Sequence, residues 1–371
     1  MKNTTTSIFP QRNYGLDLLR LIAAFYVVVL HTVGLGGIHD AVTPYSYQDF
    51  VCRLLIIFTC CAVNIFGIIS GYVGYRETEK RISFSAYLTL WLTVVFYCLI
   101  FTGIFYNFLP GSVARQDFIR ALFPVTNRLY WYFSSFTIVY CLSPFLNKIL
   151  IYSSEKELKK LFYFICIVVV LLEYIGGSFN IGNGYSAFWL LLLYLLGGIL
   201  NKTKIGSNIP WYVVVAVIIL INISLFLLGF YHTTRSFCIF YFNFDIDHSY
   251  ITPFYVATAI LYVIIFSRIR LCSLIKKIVI FSAPAIFSIY IVNTNTLFWK
   301  NFMWQDFMKT QLTSWAESSP LGLFVRIILF SFAFVVAVVC IDFFRQKLFH
   351  LFRAQSQEKK MSARFFKRSM H

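Results

Sequence analysis

Acidic side chains are scarce in this chain. Its 371 residues carry 15 Asp and Glu against 32 Lys and Arg, and charged residues of both signs make up only 13%. A soluble domain carries about 25%. Hydrophobic residues reach 59%, aromatic residues 20%, and the mean hydropathy is +0.74. One soluble core cannot hide that much apolar side chain, so a bilayer has to solvate it. Other absences narrow the chemistry. None of the nine cysteines belongs to a C-x-x-C pair, which argues against structural zinc; most lie in apolar runs as small packing residues. No metal site is expected. No glycine-rich phosphate loop of the Walker or Rossmann kind is present, so any phosphate has to be held by side chains. No Pro/Gly/Ser linker, internal repeat or soluble domain interrupts the apolar runs. The polar, Thr-rich start lacks a cleavage site after the first run, which is therefore expected to remain as a helix.

What is present is a series of apolar segments of membrane-spanning length, about 20 residues each. Ten are expected, over 14–34, 51–75, 84–109, 129–151, 161–175, 185–200, 211–230, 250–266, 278–299 and 321–344. The fold class is thus an all-α polytopic bundle of about ten transmembrane helices. The expected division is a transmembrane domain over 1–345 and a basic tail over 346–371. That tail either lies along an anionic leaflet or is disordered.

The net charge of +17 does not point to nucleic acid, because the cations cluster between apolar runs. Twenty-three Lys and Arg lie in the termini and the loops after the even-numbered segments. Six lie in the opposite loops: Arg115, Arg120, Arg128, Arg235, Lys300 and Lys309. The positive-inside rule then places both termini in the cytoplasm, with the chain integral to the plasma membrane.

The first segment holds Asp17, Arg20 and His31. Ionisable groups inside a span are costly and are functional candidates. Arg20 and His31 are eleven residues apart, so they differ by about 20° in direction and roughly 16 Å along the axis. Asp17 lies one turn before Arg20, where it can pair with it. Such a stripe suits a long, phosphate-bearing donor, with Arg20 on phosphate and His31 as a base at the reactive end. The other reading of the same spacing is a snorkelling Arg20 and a His31 bonded within the bundle.

Asp17-Leu-Leu-Arg20, with His31 after ten intervening residues, resembles the first-helix motif of the acyltransferase 3 family, membrane enzymes that O-acylate surface glycans and other acceptors. Further stretches are similar in order along the chain. They are Asn64 to Ser70-Gly71-Tyr72, Tyr130-Trp131-Tyr132-Phe133 with Tyr140 to Ser143-Pro144, and Ser288-Ile-Tyr290-Ile-Val-Asn293. The likeness runs from residue 14 to about 345. It implies an acyl-coenzyme A donor, usually acetyl-coenzyme A, met from the cytoplasm, with no bound cofactor. His31 would deprotonate an acceptor hydroxyl or relay the acyl group. Asp17, Arg20, Arg76, Lys80 and Arg81 would face the donor, and Asn64, Ser70, Tyr72, Trp131, Tyr290 and Asn293 would line the pocket. Two departures stand out: many members carry His where Asn293 stands, and a compact Arg-x-x-Arg where this chain has Arg76, Lys80 and Arg81. Those three are open to a second reading as topology signals. Some members add an esterase-like domain, which this chain is expected to lack.

On the opposite side, Arg115 and Arg120 are candidates to meet an anionic acceptor, and Asp245 and Asp247 stand in an aromatic loop suited to a sugar. An interfacial aromatic belt and headgroup contact explain the same residues. Partners are then an acyl-coenzyme A, a carbohydrate or lipid-linked glycan, and membrane lipids. A glycan transporter or flippase is the alternative, but it favours repeats and broken helices at the midplane. A polyprenyl-dependent glycosyltransferase favours a large acidic loop after the first helix; here that loop holds only Asp40 and Asp49.

Overall fold

The computed structural model describes residues 12–79, 83–235 and 249–368. Among these there are helices and no strand. Seven helices are long and apolar enough to cross a membrane, and two apolar ones are shorter, Ala187–Thr203 and Pro253–Phe266. Each of the ten expected segments falls on helix.

Helix α1 (Tyr14–Val33) is central. Asn13 caps it, its Oδ1 accepting from Leu16 N at 3.1 Å. The Asn13 amide also donates to Ser267 O at 2.8 Å. That tie brings α1 against the end of a later helix so closely that a Cβ on Gly15 would lie 2.1 Å from Phe266 O.

The second expected span is broken. It forms α2 (Tyr47–Thr59) and α3 (Ala62–Gly74), separated at Cys60–Cys61. Thr59 Oγ1 bonds back to Leu55 O at 2.7 Å and Ile56 O at 3.2 Å, the kind of bond that bends helices. Helix α4 is Phe84–Phe108, α5 is the short Arg115–Leu122, and α6 is Trp131–Tyr152. The fifth span starts earlier than expected. Ser154 and Glu157 form a capping box that starts the helix at Glu155. Helix α7 (Glu155–Tyr163) then passes through a π turn into α8 (Val170–Gly176). Buried Glu173 accepts from Phe179 N at 2.6 Å and Ile181 N at 2.7 Å, so it is the polar partner of the following loop.

Helices α9 (Ala187–Thr203), α10 (Trp211–Arg235) and α11 (Pro253–Phe266) follow. The ninth span is interrupted at Pro284, with α12 (Ser273–Ser282), one 3-10 turn, and α13 (Ile286–Asn293). Helix α14 runs Pro320–Arg368, so it passes the expected tail boundary at 345 without a break.

The basic connections gather at one end of the bundle. Lys202 Nζ donates to the carbonyls of Leu150, Ile151 and Ser153 at 2.7–3.0 Å. Arg268 donates to Ile209 O at 2.8 Å, and the Asn201 amide to Tyr72 O at 2.6 Å. Tyr152 OH donates to Glu79 at 2.8 Å. These bonds, with Asn13–Ser267, join the loops to which the sequence assigns a common side.

Helices α3 and α9 touch backbone to backbone. A Cβ on Gly71 would stand 1.8 Å from Tyr194 O, and one on Gly197 would stand 1.9 Å from Ile68 O. Small residues permit this approach where no hydrophobic drive separates helix from lipid. The expected result for Gly197→Ala is a loss of about 1–3 kcal/mol, because backbone rather than a movable side chain must give way. A lower midpoint for thermal unfolding in detergent checks this; an unchanged midpoint contradicts the packing.

Candidate active site

One face of α1 looks into a cavity of about 830 Å³. At one end it is lined by Arg12, Asp17, Arg20, Arg76, Tyr72 and Asn201. Towards the other end stand His31, Tyr290 and Thr294, with Trp131 and Tyr250 beyond, and Tyr132 lies between Tyr290 and Arg20. The helical stripe expected from sequence is therefore one wall of an internal space, with α3, α6 and α13 supplying the rest.

At the charged end, Asp17 is buried and bonds two arginines. Arg20 Nη1 donates to its Oδ1 at 3.0 Å, and Arg12 Nε to its Oδ2 at 2.6 Å. The Arg20 pair is the expected one; Arg12 is an addition. Arg76 donates to the carbonyls of Val73 at 2.5 Å and Tyr75 at 2.9 Å, satisfying the open end of α3 while its guanidinium faces the cavity. Ser70 also lines the space, its hydroxyl bonded to Phe66 O at 2.7 Å.

At the other end, His31 Nδ1 lies 2.6 Å from Asn293 Oδ1. With an amide oxygen as partner, Nδ1 carries the hydrogen, and Nε2 is left with a lone pair. Asn293 is itself 2% exposed, and its carbonyl accepts from Trp299 Nε1 at 2.5 Å. The Tyr290 hydroxyl is buried and makes no hydrogen bond. Beyond it, Trp131 lies against Tyr185 (centroids 4.8 Å) and Tyr250 (6.1 Å, 17° between planes), and Tyr185 OH donates to Tyr250 OH at 3.2 Å. Trp131 and Tyr250 line the cavity beyond His31.

Two expected pocket residues do not line the cavity. Asn64 is fully buried, its amide donating to Tyr250 O at 2.7 Å and accepting from Trp189 Nε1 at 3.0 Å. Both ends of the amide are hydrogen-bonded, and it holds Tyr250 in place. Asn293 stands behind His31 and fixes its tautomer. Arg115 and Arg120 are exposed on α5, away from the cavity, with Arg120 paired to Asp117 at 3.1 Å. Lys80, Arg81, Asp245 and Asp247 lie outside the described residues.

The structure adds Tyr132, Tyr250, Thr294 and Asn201 to the cavity wall. It also adds a buried support. Asp342 Oδ1 accepts from Ser288 Oγ at 2.5 Å, Tyr97 OH at 2.8 Å and Arg345 Nε at 2.6 Å; its Oδ2 accepts from Arg345 Nη2 and Gln346. Through Ser288 this cluster anchors α13, which carries Tyr290 and Asn293. Asp342 is, like Asp17, a buried acid inside an apolar run.

The described helices thus form a membrane bundle whose cavity carries arginines and an imidazole on one wall. A family model described as an acyltransferase domain matches residues 13–344. The chain belongs to the acyltransferase 3 family and is a membrane acyltransferase. No curated protein and no solved structure matches the chain.

Proposed function

We propose that the enzyme transfers an acetyl group from acetyl-coenzyme A, taken from the cytoplasm, to a hydroxyl of a surface polysaccharide or lipid-linked sugar. The observation that carries this reading is the single cavity joining Arg20 and Arg76 to His31. Coenzyme A has phosphates at one end and a thioester at the other, joined by a pantetheine arm. The roughly 16 Å between Arg20 and His31 suits that arm. Arginine holds phosphate through parallel, charge-assisted hydrogen bonds.

In the reaction, His31 Nε2 takes the proton of the acceptor hydroxyl as its oxygen attacks the thioester carbonyl carbon. The carbon–sulfur bond breaks, and the departing sulfur takes the proton from the imidazolium. Asn293 stabilises that imidazolium only as a neutral acceptor, and it keeps Nε2 as the basic nitrogen. The aromatic end at Trp131 and Tyr250 is where an acceptor sugar approaches, its C–H faces matched to flat rings.

Sealed membrane vesicles of both orientations, given acetyl-coenzyme A labelled in the acetyl group, test this. Inverted vesicles, which expose the cytoplasmic face, are expected to label a glycan acceptor, and right-side-out vesicles are not. Labelling from right-side-out vesicles alone would reverse the orientation, and none from either would remove the donor.

A further inference from the structure

A second cavity, of about 330 Å³, opens beside the first and shares Arg20, Ser70, Val73, Arg76 and Phe136 with it. The rest of its wall comes from the polar Ser83, Tyr140, Ser143, Asn147 and Tyr194 and from Gly74, Ala86, Val139 and Pro144. Hydroxyls and an amide are set among apolar side chains in this wall, and His31 is not part of it. The two arginines stand at the junction of the two spaces.

Its wall is built around one stretch of α6. Pro144 lies inside that helix and has no N–H to give to the carbonyl of Tyr140, four residues back. Ser143 Oγ donates to that carbonyl instead, at 2.8 Å. Tyr140 OH donates to Ser83 O at 2.8 Å, and its ring lies against Tyr87 (5.4 Å) and Phe136 (6.2 Å). The other polar groups are held loosely. Tyr194 OH reaches Asn147 Oδ1 at 3.3 Å, and the Asn147 amide reaches Gly74 O at 3.3 Å. Both distances lie beyond the usual hydrogen-bond range, so exchange for a ligand's polar edge costs little.

We infer that this side cavity is the subsite for the nucleoside end of the donor, with Tyr140 as its stacking face. The inference rests on the coenzyme A reading above. A diphosphate held between Arg20 and Arg76 leaves the coenzyme two directions to run. The pantetheine arm takes the main cavity toward His31, and the phosphorylated nucleoside turns into the side cavity. An adenine ring there meets an aromatic face, the amide of Asn147 and the hydroxyl of Tyr194.

The test uses a truncated donor, acetyl-4′-phosphopantetheine, which keeps the arm and one phosphate but lacks the nucleoside. Full-length purified enzyme is assayed with this and with acetyl-coenzyme A, as wild type, Tyr140→Leu and Tyr140→Phe. Loss of a base–aromatic stack is expected to raise the KM for acetyl-coenzyme A about tenfold or more in Tyr140→Leu. The KM for the truncated donor should shift less than twofold, and this also reports that the variant is folded. Inhibition by adenosine 3′,5′-bisphosphate should weaken in parallel. Tyr140→Phe, which keeps the ring, should restore the wild-type KM. Equal rises for both donors would mean that Tyr140 only supports the helix. No rise for acetyl-coenzyme A would place the nucleoside elsewhere. Either result overturns the inference while leaving the donor intact. If wild type uses neither donor, the coenzyme A reading fails, and this subsite with it.

Discussion

Replacing His31 with alanine is expected to lower acyl transfer roughly 10²- to 10⁴-fold, the range that a positioned acid–base group contributes. The protein should still insert and fold, because His31 makes one side-chain hydrogen bond, to Asn293, and otherwise faces the cavity. Donor binding should change little, since Arg20 lies about three turns away on α1. The measurement is turnover and donor binding on the same purified, monodisperse sample. Near-normal turnover by a folded variant would remove His31 from the chemistry. Asn293→Leu is a companion. It leaves the Nδ1–H without its buried acceptor and frees the ring to turn, so turnover should fall by about tenfold while binding persists. The conservative Asn293→Asp should keep the tautomer and recover part of that loss.

The stripe on α1 was legible because a helix has a fixed period. Eleven residues return Arg20 and His31 to one face whatever surrounds them, and three residues put Asp17 beside Arg20. Arg12 as a second partner of Asp17 depends on the turn before the helix, which Asn13 sets by bonding to Ser267, 254 positions away in the chain. Residue type alone does not separate a pocket wall from its support. Asn64 and Asn293 were both expected in the pocket, yet each spends its amide on holding another residue, Tyr250 in one case and His31 in the other. The break at Cys60–Cys61 was hidden for a different reason: no proline or glycine marks it. The side cavity depends on α1, α3, α4, α6 and α9 meeting, so no single run of sequence displays it. The Tyr140 to Pro144 stretch was visible as a motif, but its use was not.

Arg20→Lys is expected to raise the KM for the acyl donor roughly ten- to a hundredfold, with a smaller effect on turnover at saturation. A guanidinium presents a planar fork that places two parallel hydrogen bonds on a phosphate; an ammonium acts as a point charge. Loss of one charge-assisted bond costs about 1.5–3 kcal/mol, which is that range in affinity. Asp17 sharpens the contrast. It is shared between Arg20 at 3.0 Å and Arg12 at 2.6 Å, so Arg12 keeps the carboxylate paired when Arg20 turns to a ligand. A lysine at position 20 still pairs with Asp17, so the fold is preserved while the fork is lost. Arg20→Ala should bind the donor more weakly still, and its folding should remain intact because Asp17 retains Arg12. If Arg20 served only to anchor α1 at the interface, lysine would snorkel equally well and replace it without loss. Donor binding by calorimetry to wild type, Arg20→Lys and Arg20→Ala separates the two roles. Equal affinity in all three would leave Arg20 as an anchor and move the phosphate site toward Arg76. A stepwise loss from Arg to Lys to Ala, with unchanged unfolding temperature, places the donor phosphate on the guanidinium itself.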